Sequence, residues 1–163
     1  MKFSLTPALS YLIGLWKARR TAEGIGISGN REICEIFASQ AIKLGIAQPN
    51  KIQVKGKKVF FYHSAYRAFF DSILEERLKR FMHKNEFSAN YLAGLFDGCG
   101  GFKNSIAIFF SKADLEDEMI LLRLGFKVKR TGKHLVVLDT KNFFEFVKGH
   151  LKFFGHPHSR PPT

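Results

Sequence analysis

Between Tyr91 and Gly101 the chain reads Tyr-Leu-Ala-Gly-Leu-Phe-Asp-Gly-Cys-Gly-Gly. The apolar run predicts a helix, and two small residues four apart, Gly94 and Gly98, share one of its faces. Small residues at that spacing let a second helix backbone approach closely, a steric effect best documented in membranes and equally valid in water. The glycines that follow end the helix. The constraint is therefore a closely packed helix pair.

The partner lies in the same chain. Thr6-Pro7 is a helix start, with Thr as N-cap and Pro at the first helical position. The helix that follows matches Tyr11-Leu12-Ile13-Gly14-Leu15-Trp16 to Tyr91-Leu92-Ala93-Gly94-Leu95-Phe96, a displacement of 80. At the same displacement Leu44-Gly45-Ile46 answers Leu124-Gly125-Phe126. An internal repeat is the economical reading, with halves at 1–84 and 85–155, a linker over 84–88 and a disordered tail at 156–163.

The order of predicted elements repeats as well. Strands are expected at 24–27 and 105–110, each followed by a helix. The first of these helices has its apolar positions at Ile33, Ile36, Phe37 and Leu44, and the second at Leu115, Met119 and Leu122. Hairpins follow at 51–62, turning through Gly56, and at 126–138, turning through Gly132. Ser64 and Thr140 are the expected N-caps of the closing helices.

The stretch Leu92–Gly100 resembles the LAGLIDADG motif of the homing endonucleases, keeping seven of its nine positions by identity or close similarity. The resemblance covers essentially the whole chain. It implies an α+β fold of two αββαββα halves, forming a pseudo-two-fold saddle of antiparallel sheets around two central helices at 7–19 and 88–98. Gly14, Ala18, Gly94 and Gly98 are the helix-packing residues, and a single-chain monomer is expected.

The same resemblance implies DNA cleavage by metal ions held between the C-terminal ends of those helices, with a carboxylate from each at the eighth motif position. Here those positions are Cys99 and Arg19. A thiol is a poor ligand for Mg²⁺, which wants hard oxygens, and a guanidinium repels it. Asp97 falls two residues early, with a structural role expected, and Glu23 supplies a carboxylate only if the first helix runs one turn further. Arginines at 19 and 20 suit the negative end of the helix dipole, where carboxylates oppose it. The implied activity is DNA binding without metal-dependent cleavage and with no cofactor. The alternatives are a Mg²⁺-dependent endonuclease using Glu23, and an RNA-binding, maturase-like or regulatory protein.

The net charge is +12 over 163 residues, which favours nucleic acid as partner over an anionic membrane surface. Lys51, Gln53 and Lys55 alternate with Ile52 and Val54, putting polar side chains on one strand face and the apolar pair toward a core. Lys127, Lys129 and Lys133 repeat the pattern opposite Phe126 and Val128. Lys57, Lys58 and Arg130 lie in or beside the turns, Lys103 and Lys112 flank a strand, and Arg19 and Arg20 complete the expected nucleic-acid contacts. Two cysteines, Cys34 and Cys99, without paired spacing suggest neither disulfide framework nor zinc site. They fit a reducing compartment, and with no apolar run of membrane-spanning length a cytoplasmic, nucleoid-associated protein is expected. The histidines carry no ligand spacing.

Overall fold

The computed structural model describes residues 3–104 and 107–154. The elements are α1 (Pro7–Arg19), β1 (Ile25–Ser28), α2 (Arg31–Lys43), β2 (Gln53–Lys55), β3 (Lys58–Phe61), α3 (Ser64–Glu75), α4 (Arg77–Arg80) and α5 (Glu86–Cys99). They continue with β4 (Gly100–Phe102), β5 (Ile108–Phe110), α6 (Leu115–Arg123), β6 (Val128–Thr131), β7 (His134–Val137) and α7 (Thr140–Val147). One antiparallel sheet has the order β1-β3-β2 and the other β4-β5-β7-β6.

Helices α1 and α5 are buried on nearly every face, which is what helices apolar all round require. Their contact is reciprocal. A Cβ on Gly94 would meet Tyr11 O at 2.0 Å and Leu15 N at 2.9 Å; one on Gly14 would meet Tyr91 O at 2.3 Å and Leu95 N at 2.9 Å. These pairs sit 80 residues apart, so the repeat seen in the sequence is the geometry of the helix pair. Gly98 lies against Ala18 in the same way, with 2.5 Å to its Cβ. Thr6 Oγ1 caps α1 by accepting the Leu9 N–H, and Asn85 and Ser88 form a reciprocal capping box on α5. Helix α5 therefore begins at Glu86, inside the stretch expected as linker, and α4 is an added turn before it.

Polar bonds brace the pair, differently at its two ends. The Tyr11 hydroxyl donates to Asp97 Oδ2 at 2.6 Å, and the Asp97 carboxylate also accepts the backbone N–H groups of Lys152, Phe153 and Phe154. Burial pushes the Asp97 carboxyl above its usual range against the pull of these four donors. Lys17 stands 80 residues before Asp97, and no carboxylate is available at that position. Tyr91 instead donates to the fully buried Asp117 at 2.6 Å, as do Lys17 at 2.6 Å and Arg77 at 3.2 Å. Asp114, beside them, accepts from Arg77 Nη2. Burial raises the Asp114 carboxyl, but that hydrogen bond and the Lys17 charge outweigh it and hold the group well below the usual range.

Several expectations need correction. The second half shows the full αββαββα order, whereas in the first half the strand after α1 is reduced to one bridge between Arg20 and Ile27. Residues 20–24 leave no length for a strand of its own before β1, and the chain turns back at Gly24, whose φ is +46°. Leu115 and Leu122 are 67% and 52% exposed, because α6 turns Asp117, Ile120 and Leu121 inward instead. Val54 lies on the core side of its sheet but is 76% exposed, since β2 is an edge strand and α2 leaves a groove beside it. Lys51 belongs to a 3-10 turn, Pro49–Lys51, before the strand.

The N-cap of α3 is His63, whose Nδ1 accepts the Tyr66 N–H, and that of α7 is Asp139; Ser64 and Thr140 are first helical residues. The glycine turns stand, with φ of +63° at Gly56 and +60° at Gly132. Of the strand expected over 105–110, Ser105 and Ile106 lie outside the described residues, as do the tail at 156–163 and the start at Met1 and Lys2. No described helix is long and apolar enough to cross a membrane.

Candidate nucleic-acid interface

Strand register decides which side chains face away from the core. In the first sheet Gln53 pairs with Phe60 and Phe60 with Gly26, while Lys55 pairs with Lys58 and Lys58 with Ser28. Ile25, Ile27, Val59 and Phe61 fill the core on the other face. The outward face therefore carries Gln53, Lys55 and Lys58, with Tyr62 one step beyond Phe60 and packed edge-on against it at 5.8 Å. Lys57, exposed in the turn, completes the basic edge.

In the second sheet Lys129 pairs with Val136, Val136 with Phe109 and Phe109 with Gly101. Lys127 and Leu138 meet through the Leu138 N–H to Lys127 O bond of 2.9 Å. Lys127, Lys129 and Leu138 thus share the outward face with Phe109, whose ring stacks on His134 at 4.4 Å and 5°. A shallow concavity of about 410 Å³ lies on this face, with Lys103, Lys129, Thr131, Val136 and Leu138 in its lining. Lys51, Lys55, Lys57, Lys103, Lys112, Lys127, Lys129 and Lys133 make no ion pair among the described residues. Lys58 reaches only a loose pair with Glu23 at 3.5 Å. These are solvated ammonium groups available to an anionic partner.

The three expected arginines are occupied elsewhere. Arg130 points from β6 to the core side, donating to Ala113 O at 3.1 Å and Glu118 at 2.9 Å. Arg20 lies over the Trp16 ring at 4.0 Å and bonds Asp71 at 2.9 Å. Arg19 turns into the first half, where Nη1 donates to Ser28 O at 3.2 Å and the guanidinium lies under Gly29.

Between the C-terminal ends of α1 and α5 lies a small space of about 180 Å³, lined by Ala18, Arg19, Gly98, Cys99, Gly100, Phe109, Ser111 and Lys112. Among the described residues no carboxylate borders it. Burial pushes the Cys99 thiol up, and the N–H groups of Lys112 and Ser111 offset this only in part, so sulfur stays protonated near neutrality. Helix α1 ends at Arg19, so Ala22-Glu23-Gly24 does not continue it, and Glu23 sits in the following loop beside Lys58. Asp97 is turned to Tyr11 and the 152–154 backbone. Among the described residues no group of three His, Cys, Asp or Glu side chains is placed to hold a metal ion. Divalent cations bound by hard oxygens do not fit this donor set.

This arrangement is the two-repeat fold of the single-chain LAGLIDADG endonucleases. The crystal structure of I-DmoI in complex with DNA and Ca is similar over 94% of this chain and 95% of that one, with a TM-score of 0.64 and 15% identity. A structure of mesophilic variants of the homing endonuclease I-DmoI covers 86% of this chain and 93% of its own, with a TM-score of 0.61 and 17% identity. A further I-DmoI variant, in complex with its target DNA and in the presence of Mn, matches at a TM-score of 0.56 and 14% identity over 86% and 91%. No protein-family model matches the chain, and no curated protein matches it in sequence.

Proposed function

We propose that the chain is a single-chain, pseudo-dimeric protein that binds double-stranded DNA along its two sheets without metal-dependent cleavage. The observation that carries this reading is the pair of equivalent hairpins with unpaired lysines on their outward faces, flanking a centre whose carboxylate positions are Arg19 and Cys99. Solved structures of similar fold hold DNA, which supports the partner. The halves at 1–84 and 85–155 each supply one sheet, so one chain presents two.

Lysine outnumbers base-reading side chains on these faces, so phosphate contact supplies most of the affinity and sequence discrimination is modest. The chain is monomeric on this reading, and duplex DNA binds in preference to structured RNA. Incubating the chain with supercoiled plasmid or a selected duplex and Mg²⁺ tests the catalytic half. Retention without strand scission is the expected result. Scission that Glu23→Ala abolishes would restore the endonuclease alternative. Competition between duplex DNA and structured RNA at fixed salt tests the partner, and an RNA preference would overturn it.

A further inference from the structure

Equivalent outward positions of the two hairpins carry different chemistry. The glycine turns at Gly56 and Gly132 align the hairpins, so Gln53 corresponds to Lys129, Lys55 to Thr131, Lys58 to His134 and Tyr62 to Leu138. Between them, Gly26 pairs with Phe60 in one sheet where Phe109 pairs with Val136 in the other. The first face thus presents mainly polar and hydrogen-bonding groups to solvent, its Phe60 ring being buried. The second has an apolar ridge of Phe109, Val136 and Leu138 running between its lysines.

That ridge is unusual on a surface this basic. Val136 is nearly inaccessible although it lies outside the main core, because its neighbours on the outward face cover it. Gly101 lacks the side chain that would collide with the Phe109 ring; a Cβ there would meet the ring at 2.5 Å. Leu138 projects from the end of the ridge, 52% exposed, on the same face as Lys127 and Lys129. An apolar branched side chain offers a base edge no hydrogen bond. Among the four bases only thymine presents a methyl group in the major groove, and that methyl is what such a side chain discriminates.

We infer that, resting on the DNA-binding reading above, the second sheet reads thymine through its C5 methyl, with Leu138 as the specificity-determining residue. Lys127 and Lys129 hold the neighbouring phosphates and set the depth at which Leu138 meets the groove. The first sheet reads by a different route, through the Gln53 amide.

The test starts from a duplex selected out of a random pool by the full chain. Thymine is then replaced by uracil in one half-site at a time, which keeps base pairing and removes only the methyl groups. Uracil in one half-site should weaken binding by roughly fourfold for each methyl group buried. Leu138→Ala should remove most of that thymine-to-uracil ratio, whereas Gln53→Ala lowers affinity and leaves the ratio in place. Equal binding of the thymine and uracil duplexes, or a ratio that survives Leu138→Ala, overturns the assignment while leaving duplex binding intact. A chain that binds no duplex sinks the proposed function itself, and the two failures are told apart by the first titration.

Discussion

The two halves of the molecule agree where backbones touch and differ where side chains meet water or charge. Gly14 and Gly94 make the same contact from opposite sides, at distances within 0.3 Å of one another for the carbonyl they face. The positions of Lys17 and Asp97, by contrast, carry opposite charges, and their tyrosine partners are satisfied by different carboxylates. Steric contact at the helix crossing tolerates almost nothing, so both copies keep glycine. A polar brace has several solutions, provided each buried group ends with a partner. The positions that the sequence motif singles out, 19 and 99, differ in the same way, one a guanidinium turned toward Ser28 and the other a buried thiol.

The largest expected effect separates the two braces. Asp117→Ala leaves Lys17, Arg77 and Tyr91 facing an empty buried site, and should cost about 3–5 kcal/mol in urea denaturation. Asp97→Asn keeps its shape and part of its bonding, so about 1–3 kcal/mol is expected. Equal costs would mean that the braces are equivalent after all.

Next come the glycines. Gly94→Ala and Gly14→Ala should each cost about 3 kcal/mol, the upper end of overpacking, because the new methyl meets backbone rather than a mobile side chain. Gly98→Ala, which faces the Ala18 methyl, should cost less. Unequal losses at 14 and 94 would break the reciprocity.

A smaller effect appears with pH. Asp114 is held below its usual range in the folded chain, so its stabilisation is present above the ordinary carboxylate pKa of about 4 and is lost as pH falls through the depressed value. Acid unfolding should therefore be flatter in Asp114→Asn than in the parent chain. An unchanged acid limb would remove Asp114 from the brace. The smallest effect distinguishes neighbours on one strand. Lys129→Ala should reduce the salt slope of duplex binding by about 1 and leave stability alone, while Arg130→Ala should do the reverse, since its guanidinium belongs to Ala113 and Glu118.

Much of the fold was readable because its signals are local. Gly94 and Gly98, the Thr6-Pro7 start and the Gly56 and Gly132 turns each act within a few residues. What was not readable depends on distant partners. Helix α6 offers two apolar stripes, and periodicity alone favours Leu115, Met119 and Leu122. The face is chosen by Asp117, whose partners Lys17, Arg77 and Tyr91 lie far off in sequence. Val54 has a core-facing pattern, but whether a helix covers it is a tertiary matter. In the candidate site the lysines on the outward faces were legible from alternation. The arginines were not, because Asp71, Glu118 and Ser28 claim them from other elements.

The central claim is a phosphate-gripping surface around a centre that needs no metal. The most direct measurement is duplex affinity against salt, taken with and without Mg²⁺. With six to ten phosphates neutralised, affinity should fall roughly 10³–10⁵-fold between 50 and 200 mM salt. Once ionic strength and the ordinary competition of Mg²⁺ for DNA phosphates are allowed for, adding the cation should not strengthen binding. A shallow slope, or binding that appears only with Mg²⁺, would contradict the account.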